Sequence, residues 1–197
     1  MSEIISRMDL WEQALALTAT VTLVLALIGF IMGRLRHIVI EGALARLLGT
    51  RVAIFVGYYL TIIGTLHHEL AHALGYLLTG GRVHRISILP KSQPDGSVRL
   101  GYVTSSTRGP RLLQAVQNTI CATAPLLFGF LTVYLLWRLA LPAAADIRMR
   151  AFLYYAMASI LLHMELSKAD LKLLARGLAP SLLLLYLCIA LALRIGR

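Results

Sequence analysis

Three ionisable residues with the spacing of a metal site lie inside one apolar stretch of this chain. Residues 68–72 read His-Glu-Leu-Ala-His, which places His68 and His72 four positions apart. Residues four apart share one face of an α-helix, so both imidazoles can reach a single ion. Glu69 stands about 100° around the helix from His68 and can take a proton from a water at that ion. The motif predicts one Zn²⁺ per chain, held by His68 and His72, with Glu69 as catalytic base.

The surroundings of the motif favour function over chance. The motif lies within residues 52–78, a run that is otherwise apolar and long enough to span a bilayer. An ionisable group at the centre of such a span costs on the order of 2.5–3.5 kcal/mol by insertion scales. Three of them together indicate a shared purpose, which is metal binding. His67 faces away from His72 and is predicted to support the site or to form a hydrogen bond in the core.

A catalytic zinc site needs a third protein ligand, and a second polar cluster offers candidates for it. The cluster contains His163, Glu165 and Asp170, close to a later apolar segment. In a continuous helix His163 and Asp170 would share a face, whereas Glu165 would lie on another. The spacing leaves all three residues open as the third ligand.

The elements that position these residues are predicted to be membrane helices. The chain has 197 residues and is 58% hydrophobic, whereas soluble domains are about 45–50% apolar. We expect a single α-helical, polytopic membrane domain with about four to six transmembrane helices and one membrane-associated β-hairpin after the motif helix. The predicted spans are residues 15–33, 52–78, 112–141 (broken at Pro125), 151–170 (with the candidate third ligand) and 180–193, and the hairpin region is residues 80–110.

Two polar segments connect the predicted spans. Residues 34–51 are basic with spaced apolar residues, which predicts a short helix at the membrane interface. Residues 80–110 alternate apolar and polar side chains around the turn sequence Gln-Pro-Asp-Gly at residues 93–96, which predicts the β-hairpin. Cys121 and Cys188 both lie in apolar runs without a Cys-x-x-Cys pair, so we expect them to be plain apolar fillers without a metal or disulfide role.

The net charge of +10 predicts contact with lipid headgroups. The basic residues are scattered between apolar runs instead of forming one basic face, so we expect them to anchor segment ends at the bilayer and expect no nucleic-acid binding. No cleavable signal peptide is expected, because an acidic opening precedes the first apolar run. Residues 80–111 hold six Lys and Arg residues, which outnumber the four of residues 34–51. The hairpin is therefore predicted to lie on the cytoplasmic side.

The sequence resembles the site-2 protease family of intramembrane zinc metallopeptidases. The resemblance is carried by residues 68–74 (His-Glu-Leu-Ala-His-Ala-Leu), 80–83 (Gly-Gly-Arg-Val) and 86–90, and extends loosely to 122–129 and 163–172. It implies that an aspartate from a later helix completes the zinc site, and Asp170 is the matching position. Leu171 follows this aspartate, where the family pattern has glycine.

The resemblance also implies an activity, a substrate and a location. We expect a minimal, core-only member that hydrolyses peptide bonds of membrane proteins or peptides in or near the bilayer. A compact chain of this kind suits the cytoplasmic (inner) membrane of a prokaryote, as a multi-pass protein.

Three other classes fit the motif less well: a transporter, a di-iron or haem enzyme, and a non-catalytic scaffold. A metal-ion transporter would be expected to carry proline at the position of Ala71, and to have more spans. Di-iron membrane enzymes need about eight histidines, whereas this chain has six. A haem bound by two histidines would leave Glu69 without a role, and so would a non-catalytic scaffold or assembly factor that keeps the fold.

Overall fold

The computed structural model describes residues 9–88, 91–92, 98–99 and 101–196 of the chain. Most of them are helical, and a small antiparallel hairpin interrupts the helices. The helices are α1 (Leu10–Arg36), α2 (Ala45–Leu48), α3 (Thr50–Phe55), α4 (Ile62–Leu78), α5 (Arg111–Leu135), α6 (Leu141–Ala143), α7 (Ile147–Leu162) and α8 (Lys168–Ile195), with π-helical turns at His37–Leu44, Val56–Leu60 and Leu136–Ala140. The strands are β1 (Arg82–Ser87), β2 (Lys91–Ser92), β3 (Val98–Arg99) and β4 (Tyr102–Ser106).

Three helical stretches in the described part of the chain are long and apolar enough to cross a membrane. They are Leu10–Leu48, Arg111–Ala143 and Lys168–Ile195. The motif helix α4 has 17 residues and α7 has 16, slightly below the roughly 20 residues that a spanning helix needs. The expected polytopic helical class is therefore consistent with the structure, whereas the count of four to six spans is not confirmed.

The first helical stretch is longer than predicted. Asp9 caps α1 by accepting a hydrogen bond from the backbone N–H of Glu12 at 2.8 Å, and the Glu12 carboxylate accepts from the N–H of Asp9 at 3.0 Å. The helix then continues through the π-helical turn to Leu48 and ends at Gly49, whose φ is 86°. The prediction of a separate interfacial helix in residues 34–51 is wrong. Residues 34–48 continue the first helical stretch, which ends only at Gly49.

The predicted span 52–78 is interrupted at Thr61, immediately before the motif helix. Thr61 leaves helical geometry with φ −111° and ψ 28°. Ser159 of α7 bonds the backbone on both sides of this break: its Oγ accepts from the N–H of Gly64 at 2.8 Å and donates to the Thr61 carbonyl at 3.1 Å. A Cβ added at Gly64 would overlap the Ser159 carbonyl oxygen. Close contact between α4 and α7 therefore fixes the start of the motif helix.

The predicted break at Pro125 is wrong, because α5 runs through this residue from Arg111 to Leu135. Pro125 is buried where α5 packs against its neighbours. Tertiary packing of this kind holds a helix together across a proline that would end an isolated helix. The core cluster beside it consists of Leu126, Ile160 and Met164.

The predicted span 151–170 is two helices, because residues 163–167 leave α7 and lead into α8. Ser167 starts α8 with a capping box, in which its Oγ accepts from the N–H of Asp170 at 3.2 Å and Asp170 accepts from the N–H of Ser167 at 2.8 Å. The last helix thus begins twelve residues before the expected Pro180, which lies inside it.

The predicted β-hairpin is confirmed between α4 and α5. Strand β1 pairs with β4 in an antiparallel sheet, with an irregularity between Val83 and Arg85, and β2 pairs with β3 farther along the hairpin. The expected turn at residues 93–96 lies outside the described residues. At the base of the hairpin, buried Gln117 of α5 donates to the Thr79 carbonyl and accepts from the Arg108 N–H, both at 2.9 Å. This side chain ties the hairpin to the end of the motif helix.

Candidate metal centre

The two motif histidines meet as their spacing predicts. On α4, His68 and His72 bring their Nε2 atoms to 3.0 Å from each other, with the rings at 81°. His72 is buried, and His68 is partly buried. Both Nε2 atoms face the same small volume.

Asp170 reaches that volume from the first turn of α8. Its Oδ1 lies 3.2 Å from Nε2 of His72, and its Oδ2 lies 3.8 Å from Nε2 of His68. The capping hydrogen bond from the Ser167 N–H holds the carboxylate in this direction. Among the described residues, His68, His72 and Asp170 form the group whose candidate ligand atoms all lie within 4.8 Å of one another. The triad can therefore hold a metal ion.

The other two candidates for the third ligand have different partners. Nδ1 of His163 donates a hydrogen bond to the Ser159 carbonyl at 2.9 Å, and Nε2 of His163 lies 3.2 Å from Oγ1 of Thr65. Glu165 pairs with Arg36 of α1. His67, expected to support the site or the core, places its Nε2 2.9 Å from Oγ1 of Thr132.

Backbone carbonyls fix which nitrogen of each motif histidine carries the proton. Nδ1 of His68 lies 2.6 Å from the carbonyl oxygen of His163, and Nδ1 of His72 lies 2.8 Å from that of Cys121. A carbonyl oxygen only accepts hydrogen bonds, so both Nδ1 atoms must be the donors. In a neutral imidazole the other nitrogen then has no proton and presents a lone pair. Both Nε2 lone pairs point into the triad.

This arrangement of donor atoms fits a divalent cation. With both imidazoles neutral, two Nε2 lone pairs and a carboxylate converge, and a cation between these three electron-rich groups would remove their mutual repulsion. Ligands at about 2.0–2.1 Å from a tetrahedral zinc lie roughly 3.3 Å apart. The three distances here are 3.0, 3.2 and 3.8 Å. Histidine ligands whose Nδ1 donates to a carbonyl are also the usual arrangement at metal sites.

Glu69 lies beside the triad, under the hairpin. It is buried, with 8% of its surface exposed. A Cβ added at Gly101, just before β4, would lie 2.8 Å from both Cγ and Oε1 of Glu69. Glycine therefore allows the hairpin backbone to pass directly over this carboxylate.

A cavity of about 710 Å³ opens onto the triad and Glu69. Strand β4 forms one wall of it, from Tyr102 to Ser105, and the start of α8 forms another. Arg36, Glu165 and Lys168 add charged groups to the lining. The volume is in the range of about 300–1,000 Å³ found for ligand sites.

Sequence reasoning did not anticipate three contributions to this site. They are Gly101 and the carbonyl groups of Cys121 and His163. Cys121 was expected only to fill the core, and His163 was considered only for its side chain. Backbone groups have no signature in residue type, whereas a glycine next to a strand does signal close approach of another group.

Comparison with known proteins finds no matching family model, no matching curated protein and no matching solved structure.

Proposed function

We propose that this chain is a membrane-embedded zinc metallopeptidase that hydrolyses peptide bonds of membrane proteins. The observation that carries the proposal is the convergence of the Nε2 atoms of His68 and His72 and the Asp170 carboxylate, with Glu69 lining the same cavity. Nitrogen and oxygen ligands from three residues, with space left beside them, are typical of catalytic zinc. One zinc ion per chain is expected.

The residues of the chain have distinct roles in this proposal. His68, His72 and Asp170 would hold the ion, which supplies Lewis acidity to polarise a carbonyl and to acidify a water molecule. Glu69 takes the proton of the attacking water and passes it to the leaving amine. Its burial under Gly101 limits competition from bulk water.

Strand β4 is suited to hold the substrate as an extended chain. In the described part of the hairpin β4 pairs on one edge only, with β1, and its residues line the cavity. A substrate segment can add to the other edge through main-chain hydrogen bonds. An extended segment also exposes the scissile carbonyl, which a helix would keep hydrogen-bonded.

The proposed setting is a multi-pass protein of a prokaryotic cytoplasmic membrane. Three helical stretches can cross the bilayer by length and composition. Helices α4 and α7 would add two shorter spans that pack against these three stretches, for a total of five spans. The hairpin would lie on the cytoplasmic side, as the positive-inside rule favours.

Membrane proteins from cells that express wild type or Glu69→Gln provide the test of activity. New protein N-termini, identified by mass spectrometry, should appear with wild type and be absent with Glu69→Gln. Loss of a general base lowers the rate by about 10²–10⁴-fold. Identical N-termini in both samples would contradict the peptidase proposal and favour a metal-binding scaffold.

Strand addition has its own test. Thr104→Pro places a proline within β4, where it removes a backbone N–H and blocks strand pairing. Cleavage of an identified substrate should fall while bound zinc is unchanged. Unchanged cleavage would contradict substrate pairing at this edge.

A further inference from the structure

His68 and His72 each donate a hydrogen bond to a backbone carbonyl of another helix or its end. In an uninterrupted helix each of these carbonyls would accept from the N–H four residues later. The carbonyl of His163 lies just past the end of α7, where the last carbonyls have no partner within the helix. The carbonyl of Cys121 is different, because Cys121 lies in the middle of α5. In a regular α-helix it would accept from the N–H of residue 125.

Residue 125 is proline and has no N–H to donate. The carbonyl of Cys121 is therefore left for the Nδ1 of His72, which lies 2.8 Å away. The helices can approach because residue 75 is glycine. A Cβ there would lie 3.1 Å from Cβ of Ala124 and 3.2 Å from Cα of Cys121, closer than ordinary contact.

We propose that Pro125 is a positioning residue of the metal centre. It keeps the Cys121 carbonyl free, this carbonyl holds the proton of His72 on Nδ1, and Nε2 of His72 is thereby directed at the ion. This inference rests on the proposed zinc site. An N–H at position 125 would compete with His72 for the carbonyl. Loss of such outer contacts to a ligand weakens metal binding by about 10–100-fold.

If Pro125 acted only through packing, a different pattern of zinc affinities would be expected. The side chain is among the most deeply buried in the protein, so its truncation could loosen α5 in general. In that case any small replacement would weaken the site, whether or not it carries an N–H. The presence of the N–H therefore separates the two roles.

The test measures Zn²⁺ affinity of the full chain in detergent, by competition with a chelator of known affinity. Pro125→Ala should bind zinc about 10–100-fold more weakly than wild type. Lactate at position 125, introduced by nonsense suppression, has the same methyl side chain and an ester oxygen in place of N–H, and it should bind as wild type does. Pro180→Ala is the matched control, because Pro180 lies inside α8 away from the triad. It should leave the affinity unchanged.

Thermal unfolding of the metal-free variants accompanies the affinity measurement and identifies any variant that does not fold. Equal affinity of wild type and Pro125→Ala would overturn the inference, and so would equal weakening by alanine and lactate. Absence of zinc binding by wild type would instead overturn the zinc proposal itself. The two failures are therefore distinct.

Discussion

At the scale of single residues, the candidate site is fixed by small groups as well as by ligands. Gly101 is the example that bears most directly on the proposed catalysis, since its backbone lies against the Glu69 carboxylate. The carboxylate position therefore depends on a residue that has no side chain.

Gly101→Ala should displace Glu69 and lower the rate of peptide hydrolysis while zinc stays bound. The added Cβ would lie 2.8 Å from Oε1 of Glu69, and a displaced general base forfeits part of its roughly 10²–10⁴-fold contribution. Activity on an identified substrate and zinc content of the same sample provide the two readings. Gly42→Ala is the control, because its nearest neighbour would be at 3.6 Å. Full activity of Gly101→Ala would contradict this role.

The residues of the site differ in how far sequence could predict them. His68, Glu69 and His72 follow from helical periodicity, because one short helix sets their relative positions. Asp170 follows only from the resemblance, since its position depends on the break between α7 and α8. That break rests on the Ser167 capping box, which sequence reasoning read as part of a continuous helix.

At the scale of elements, the connection 163–167 links three parts of the site. Its first carbonyl holds His68, and its last residue holds Asp170 through the cap. Between them, Glu165 pairs with Arg36 at the end of α1. Leu166 packs against Gly29 of the same helix, at 3.5 Å from the position of an added Cβ. Helix α1 thus supports two of the candidate metal ligands without supplying one.

Arg36→Ala should weaken zinc binding about 10-fold, the lower end expected for outer contacts. Without Arg36, Glu165 would lose its ion-pair partner, and residues 163–167 would be held less firmly against α1. Exchanging the charges, with Arg36→Glu and Glu165→Arg together, should restore most of the affinity. Arg34→Ala, at an exposed position on the same helix, is the control. Affinity that is unchanged in Arg36→Ala would show that α1 does not support the site.

The presence of helices was easier to predict than their boundaries. Apolar composition predicts where helices form, but the break at Thr61 depends on its contact with Ser159 of α7. The break at residues 163–167 depends on the Ser167 capping box. Pro125 failed as a break signal for the same reason, since neighbouring helices hold α5 together around it.

At the scale of the whole molecule, charge is unevenly distributed. Exposed basic residues surround the hairpin and the starts of α5 and α8: Arg82, Arg85, Arg108, Arg111, Lys168, Lys172 and Arg176. The acidic residues on the described part of this end are Glu69 and Asp170 of the site and Glu165, which is paired. We therefore propose, by the positive-inside rule, that this end faces the cytoplasm.

Cysteine labelling in intact cells tests this orientation. In a Cys188→Ala background, Ser106→Cys at the end of β4 should react only with a reagent that enters the cytoplasm. Ala145→Cys, beyond the other end of α5, should react with a reagent that does not cross the membrane. Native Cys121 is buried and should stay unlabelled. The reverse pattern would invert the proposed topology.

The zinc content of the purified protein tests the central claim most directly. Elemental analysis of wild type should give about one zinc per chain, and His72→Ala and Asp170→Asn should each lose it. Glu69→Gln should keep the metal, because Glu69 is not a ligand. Wild type without zinc after metal-replete preparation, or Asp170→Asn that still holds it as wild type does, would contradict the site described here.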